Sequence, residues 1–309
     1  MLPYIIRRLL WLPVILLVVS FVTFVLGQYG PGDPVQVLLG RRTNPDVVAR
    51  IRHERGLDRP LMEQYVGYMG GVLRGDFGES FQYQGQPVGS LIFGKIGVSV
   101  QLGFAAMLIA VVAGVPLGLL AAVKQGSWLD TALVSATLFF YSMPVFITAP
   151  VLIIVLALNL HLVPVSGWGG LFDARIFMPA LVLGIPSIAG LTRIMRASTL
   201  EVLSQDYVRT ARAKGLTELI VMRRHVARNA LIPIATVIGL SLAGLVEGAF
   251  ITETLFGIPG IGRLAVDSLF ARDYPVIMAL TLIVALAFVI ANLAVDVTYA
   301  VLDPRIRYR

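Results

Sequence analysis

The sequence has no cysteine, only three histidines, and charged residues at 14% of its 309 positions. Without thiols there is no disulfide framework and no cysteine nucleophile to consider. His53, His161 and His225 are scattered, and neither HExxH nor GxSxG occurs. No two acids share a predicted location suited to acid/base work, so neither a catalytic constellation nor a metal site is expected. Nucleic-acid binding is disfavoured too, because no basic patch is interleaved with exposed aromatics. One stretch, Gly89-Ser90-Leu91-Ile92-Phe93-Gly94-Lys95, matches GxxxxGK. It is followed by Ile96 instead of a magnesium-holding hydroxyl, and it leads into an apolar run instead of following a strand. The match is read as chance, and the chain is expected to bind no cofactor of its own.

Apolar residues make up 57% of the chain, and the mean hydropathy is +0.83. Such a balance belongs to an integral membrane protein. Six runs, at about 9–27, 99–123, 132–158, 176–194, 231–252 and 276–301, meet the requirement of about 20 apolar residues for a spanning helix. Their continuity favours an all-α bundle over a barrel, whose strands would alternate. The chain divides into residues 1–27 with the first helix, a loop region 28–98 carrying short helices, and a core of five helices over 99–309. The first run offers no small-residue cleavage site after Gly27 and is read as a retained helix, not a signal peptide.

The basic residues set the orientation. Arg7, Arg8, Lys124, the central loop and the terminal Arg305, Arg307 and Arg309 would share one side, while the short loops opposite hold only Arg175, Arg263 and Arg272. The positive-inside pattern therefore places both termini in the cytoplasm. The net charge of +7 mostly reflects this topology. The loop 28–98, with seven acidic and eight basic residues, lies outside and is close to neutral. Pro45 and Pro60 open short helices there, and Gly56 and Gly75 close them.

The central loop, about 197–230, is too charged to cross a bilayer, where each such group costs about 2.5–3.5 kcal/mol. Two helices are expected in it. The first starts near Ser204 as N-cap, with Asp206 in its first turn, and ends at Gly215. The second places Leu219, Met222, Val226 and Ala230 on one face. Small residues at Ala211, Ala213 and Gly215 would let another surface approach, and the surrounding arginines could steer a partner. Charge pattern alone leaves open a basic hairpin lying on anionic lipid headgroups.

Within the membrane runs, Gly114 and Gly118 form a GxxxG around Pro116, a spacing frequent enough in membrane helices to be taken as chance. Pro144, Pro150, Pro179 and Pro186 free backbone carbonyls that a water-lined path could satisfy, and so could simple kinking. Ser142, Thr148, Ser187 and Thr192 could line such a path or bond to their own helices. Glu247 is the most deeply placed acid, a path-lining or proton-sensitive candidate or a locally paired group, whereas Glu253 and Asp296 are expected at hydrated boundaries.

The run Tyr207-Val208-Arg209-Thr210-Ala211-Arg212-Ala213-Lys214-Gly215, followed by Arg224-His225 and Arg228-Asn229-Ala230-Leu231-Ile232-Pro233, resembles the cytoplasmic signature of ABC-transporter permeases of the peptide/nickel class. The general permease signature opens with Glu-Ala-Ala, where this chain has Arg209-Thr210-Ala211, as in the peptide-class variant. Pro31-Gly32-Asp33-Pro34, Gly56-Leu57-Asp58-Arg59-Pro60-Leu61, Leu73-Arg74-Gly75-Asp76-Phe77-Gly78, Phe256-Gly257-Ile258-Pro259-Gly260-Ile261-Gly262 and the ending Leu302-Asp303-Pro304-Arg305 are similar to the B-type subunit of that class. The resemblance covers nearly the whole chain.

It implies a multi-pass subunit of a bacterial or archaeal inner membrane, with Tyr207 to Gly215 as the coupling helix seated on an ATPase subunit. It also implies a second permease chain, as a heterodimer, two ATP-binding subunits that hold ATP and magnesium, and an extracytoplasmic substrate-binding protein. Di- or oligopeptides lead as substrates, with nickel and glutathione as alternatives. Ser142, Pro144, Ser187 and Glu247 are the candidates for the path. A proton-linked secondary transporter built on Glu247 is the competing reading, weakened by the absence of convincing internal symmetry.

Overall fold

In a computed structural model, described over residues 2–29, 45–54, 58–244 and 249–302, the apolar runs become helices because their backbone groups must bond within the segment when no water is near. Among the described residues every regular element is helical apart from one bridge between Glu79 and Pro87. Among the described residues, four helices are long and apolar enough to span a membrane, and a fifth span results if one bent pair is counted together.

The chain forms two compact units. The first comprises Met1–Ser99, Val246–Phe250 and Pro259–Arg309. Its helices are α1 (Leu2–Tyr29), α2 (Pro45–Glu54), α3 (Leu61–Val72), the opening turns of α4 (Val88–Val123), α12 (Ile261–Ala271) and α13 (Tyr274–Leu302). Pro45 and Pro60 stand at helix starts as expected, since proline supplies the right φ where no N–H bond is needed. Val88 and Ile92 of α4 are buried with Ile261 and Leu264 of α12 and Val276, Ala279 and Leu280 of α13. A second cluster joins Phe24, Tyr65 and Met278, and Ser20 and Tyr65 share a hydrogen bond of 2.7 Å. Asp273, fully buried before α13, accepts hydrogen bonds from the Ser80 hydroxyl and from the backbone N–H groups of Phe81 and Gln82 at 3.1 and 3.2 Å. One carboxylate thus fixes the turn that precedes α4.

The second unit comprises Val100–Leu245 and Ile251–Ile258. It holds the rest of α4, then α5 (Trp128–Ser142), α6 (Val145–Leu152) with a π-helical extension Ile153–Asn159, α7 (Phe177–Leu203), α8 (Asp206–Ala213), and a continuous helix built from α9 (Glu218–Ile220), a π-helical turn Val221–Ala227 and α10 (Arg228–Gly244). The short α11 (Phe250–Phe256) closes the series. Its core sets Ala110 of α4 against Leu191 and Met195 of α7 and Ala230 and Ile234 of α10.

Several expectations are corrected. The run 132–158 is not one helix. α5 ends at Ser142, Met143 is extended, and Pro144 precedes α6, with the two pieces bent by 109°. A residue before proline avoids the helical region, and here nothing overrides that preference. Pro116 and Pro186, by contrast, sit inside helices that continue through them. The run 99–123 begins earlier, at Val88, so that 88–98 belongs to a helix of about 54 Å and not to the preceding loop. The GxxxxGK match is therefore helical. The run 231–252 is not one helix, because Ala249 lies outside any helix and α11 begins at Phe250. Glu253 is fully buried on α11, not at a hydrated boundary.

The Gly114/Gly118 pair is a true contact. A β-carbon on Gly114 would lie 2.9 Å from the Ile188 carbonyl oxygen, and one on Gly118 would lie 2.5 Å from that of Thr192. On α7, a β-carbon on Gly184 would lie 2.9 Å from the Ala106 carbonyl oxygen. Thr192 donates to the Ile188 carbonyl at 2.8 Å and to Gly114 on the facing helix at 3.3 Å. Small residues at four-residue spacing allow backbones this close, and the van der Waals contact they permit replaces the hydrophobic force that lipid cannot supply.

The glycine contacts and one buried hydroxyl of the first unit each yield a prediction. Gly118→Ala should destabilise the detergent-solubilised chain by about 1–3 kcal/mol through overpacking. Gly97→Ala, where a β-carbon meets nothing within 4 Å, should be neutral or stabilising; thermal melts of the two variants decide. The second concerns Tyr68, whose hydroxyl is buried without a hydrogen-bond partner among the described residues. Burial, and to a lesser degree Tyr65, push its phenol up to about 12. The folded state holds that proton more tightly than the unfolded chain, so the contribution is intact below pH 10 and is lost as pH rises towards 12. Tyr68→Phe should flatten the fall in stability over that range without weakening the protein at neutral pH.

Candidate functional site

The candidate site is α8 and the turn behind it. Ser204 is not its N-cap. It closes α7, its hydroxyl donating to the Glu201 carbonyl at 2.7 Å, and Gln205 stands before α8. Only two residues therefore separate the last turn of α7 from the first of α8, which leaves little slack between them.

α8 ends in a glycine turn that its sequence dictates. Gly215 has φ +80°, its N–H donates to the Arg212 carbonyl at 2.9 Å, and Leu216 N–H donates to Ala211 at 3.4 Å. This pair of bonds is the Schellman ending, in which a left-handed glycine satisfies the final carbonyls. Arg212 then reaches across the turn to Glu218, with Nε to Oε1 at 2.7 Å and Nη2 to Oε2 at 3.3 Å. Both partners are substantially exposed, so the pair is worth at most about 1 kcal/mol. Its use is to set the angle between α8 and the next helix.

Val208 and Ala211 are buried against Val221 and Val226, with Val202, Leu203 and Met222 around them. The next helix presents the expected face only in part, with Val226 buried and Met222 half-buried on it. Leu219 is 77% exposed, while Val221 and Val226 are fully buried. The cause is the π-helical turn, in which residues five apart share a face and the 3.6-residue period no longer holds. Ala230 is buried as expected. Tyr207 receives a hydrogen bond from Asn229 Nδ2 at 3.1 Å, and the same nitrogen contacts the His225 carbonyl at 2.8 Å.

The nine candidate docking residues thus divide. Val208 and Ala211 face inward and hold α8 to its own chain, so the expectation that Ala211 admits an outside surface is corrected. Tyr207, Arg209, Thr210, Arg212, Ala213, Lys214 and Gly215 are exposed. Beside them lie exposed Leu216, Leu219 and Ile220. Among the described residues Lys214, Arg223, Arg224 and Arg228 have no carboxylate partner. An apolar strip bordered by unneutralised bases suits a protein surface that is acidic at its rim and apolar at its centre.

Three of the four path candidates lie among the described residues, and all three are exposed. Ser142 is exposed at the end of α5 and donates to the Leu138 carbonyl at 2.8 Å; Pro144 is exposed before α6, and Ser187 is exposed on α7. Glu247 lies outside the described residues. Cavities of 160 and 420 Å³ occur in the first unit, and neither is lined by these residues. Among the described residues no cluster of His, Asp or Glu could hold a metal ion.

Sequence reasoning missed an ion pair on the helix that leads into this site. Arg196 of α7 meets Asp130 of α5 in a bidentate pair, Nε to Oδ1 at 2.7 Å and Nη2 to Oδ2 at 2.8 Å. Asp130 is buried and also accepts the Gly126 N–H at 3.1 Å. The local pattern Ser127-Trp128-Leu129-Asp130 signalled only the start of α5, which Ser127 caps, and not the pairing with Arg196.

The turn at Gly215 yields a prediction. Since a β-carbon there meets nothing within 4 Å, Gly215→Ala should be strained but not blocked, costing about 1–2 kcal/mol for the left-handed conformation. Amide exchange in α8 should accelerate by about tenfold, the equivalent of about 1.4 kcal/mol, with the exchange of α13 unchanged.

Comparison with known proteins places these features in a family. Residues 114–308 match the family described as binding-protein-dependent transport system inner membrane component, and residues 1–99 match the N-terminal region of such membrane components. A probable peptide ABC transporter permease of Sinorhizobium fredii is 40% identical over 99% of both chains. The dipeptide transport system permease DppB of Escherichia coli K12 and the oligopeptide permease OppB of Haemophilus influenzae are each 39% identical over the full length of both chains. An inward-facing MetNI methionine ABC transporter structure aligns at a TM-score of 0.53 and 17% identity, covering 67% of this chain and 95% of that one, a likeness of fold. The chain belongs to the family of binding-protein-dependent ABC transporter inner-membrane components, among which it is similar to the peptide permeases.

Proposed function

We propose that this chain is a permease subunit of an ATP-driven importer of di- or oligopeptides in a bacterial or archaeal inner membrane. The observation that carries this reading is the full-length identity of about two residues in five to permeases named for peptides. The substrate class comes from those relatives, and nickel and glutathione remain the competitors. Six spanning helices with cytoplasmic termini agree with the distribution of basic residues and would supply half of a translocation path, the other half coming from a second permease chain.

In the mechanism proposed, two ATPase subunits bind and hydrolyse ATP, and an extracytoplasmic binding protein delivers the peptide. The exposed side of α8, from Tyr207 to Gly215, rests on an ATPase subunit. Lys214 and the bases of the following helix steer an acidic rim, and Leu216, Leu219 and Ile220 supply the apolar contact. When the ATPase subunits close, α8 is displaced and α7 carries the motion into the bundle, so that the path changes the side to which it opens. The chain itself performs no chemistry, and Ser142, Pro144, Ser187 and Glu247 are its candidates for contact with the passing peptide.

Gentle extraction followed by mass spectrometry of the co-purifying chains tests the reading. A second permease and ATPase subunits should accompany the wild type. Gly215→Trp, which adds a large side chain to the exposed end of α8, should insert normally, lose the ATPase subunits and abolish ATP-dependent peptide uptake. Normal uptake by that variant, or uptake by the wild-type chain alone without ATP, would overturn the assignment.

A further inference from the structure

Three contacts join α4 and α5 to the same stretch of α7. On one side, α4 meets α7 backbone to backbone: a β-carbon on Gly118 would lie 2.7 Å from Met195 Cβ and 3.1 Å from Arg196 N, besides its approach to Thr192. On another, Arg196 is forked onto Asp130, and Asp130 is itself held by Gly126 N–H in the turn between α4 and α5. Farther along α5, the Arg193 guanidinium stacks over the Tyr141 ring at 4.8 Å, in the last turn before the break at Met143–Pro144. All of these residues belong to the second unit.

Arg196 lies seven residues before the end of α7, about 10 Å along the axis, and α8 follows after Ser204 and Gln205. A bidentate guanidinium–carboxylate pair fixes orientation as well as distance, which a single point contact does not. The Gly126 bond holds the carboxylate against rotation. A push on α8 therefore cannot rotate α7 by itself; it must move α5 with it, or break the pair.

We infer that the Asp130–Arg196 pair is a positioning strut of the transport cycle, passing the displacement of α8 from α7 into α5 and so to the α5–α6 break beside Ser142 and Pro144. This rests on the reading of α8 as the ATPase-docking element. Arg196 and Asp130 touch neither nucleotide nor peptide. They determine how much of the motion at α8 reaches the path, and their loss lets ATP hydrolysis proceed with less transport.

The test uses the full transporter, with its partner subunits, reconstituted in vesicles. ATP hydrolysis is measured alongside uptake of an isotope-labelled mixture of di- and tripeptides read by mass spectrometry. Arg196→Lys keeps the charge and removes the planar fork. It should assemble fully and hydrolyse ATP within about twofold of the wild type, yet deliver at least about tenfold less peptide per ATP. Asp130→Asn should give the same ratio or a lower one, and if it fails to assemble, Arg196→Lys alone decides. A purely structural pair would lower hydrolysis and uptake together and leave the ratio unchanged; that result, or a wild-type ratio in Arg196→Lys, overturns the inference. Should wild-type uptake need no ATP, the docking reading fails first, and the role of the strut with it.

Discussion

The close approach of α4 and α7 is the constraint on which most of the second unit depends. Lipid tails are as apolar as leucine, so apolar side chains gain little by turning from lipid to protein, and helices must be held by contact area and a few polar bonds. Gly114, Gly118 and Gly184 remove the side chains that would hold the two backbones apart. Thr192 then reaches the facing helix, and Met195 and Leu191 fill the space beside it. With α7 placed in this way, Arg196 meets Asp130, and the direction in which α8 leaves the bundle is settled.

That direction matters because α8 is short and gains little stability from its own hydrogen bonds. Eight residues make a marginal helix in isolation. Its persistence rests on Val208 and Ala211 packed over Val221 and Val226, on the glycine turn at Gly215, and on Arg212 bridging to Glu218. The same division of faces leaves the outer side free to meet a partner. In the proposed docking role, a helix held only by its partner would move independently of the bundle, whereas one with an inward apolar face would transmit force.

The first unit uses different means. Its loop residues 58–87 have no large apolar core of their own, and two buried polar groups secure them to helices. Asp273 gathers Ser80 and two backbone N–H groups, and Tyr65 bonds Ser20 of α1. Polar bonds of this kind are strong where water is excluded.

Much of this was legible in the sequence for physical reasons. Long apolar runs must be helical in lipid, prolines at 45 and 60 can begin helices more easily than continue them, and a basic segment bounded by apolar runs must leave the bilayer. These facts determined the helical class, the loops and the position of α8. What the sequence did not decide were matters of contact between distant residues. A GxxxG reads the same whether or not a helix lies against it. A period of 3.6 predicted Leu219, Met222, Val226 and Ala230 on the buried face; Val226 and Ala230 are there, but across the π-helical turn Val221 is buried and Leu219 is not. Pro116 and Pro144 are the same residue type, but α4 continues through one and the chain breaks at the other. Asp130 and Arg196 stand 66 residues apart, and nothing local marks them as partners. Local chemistry thus set which segments are helical and which must face water, while the tertiary structure chose the faces, the break and the ion pair, because each depends on the free energy of a neighbour that the local sequence does not contain.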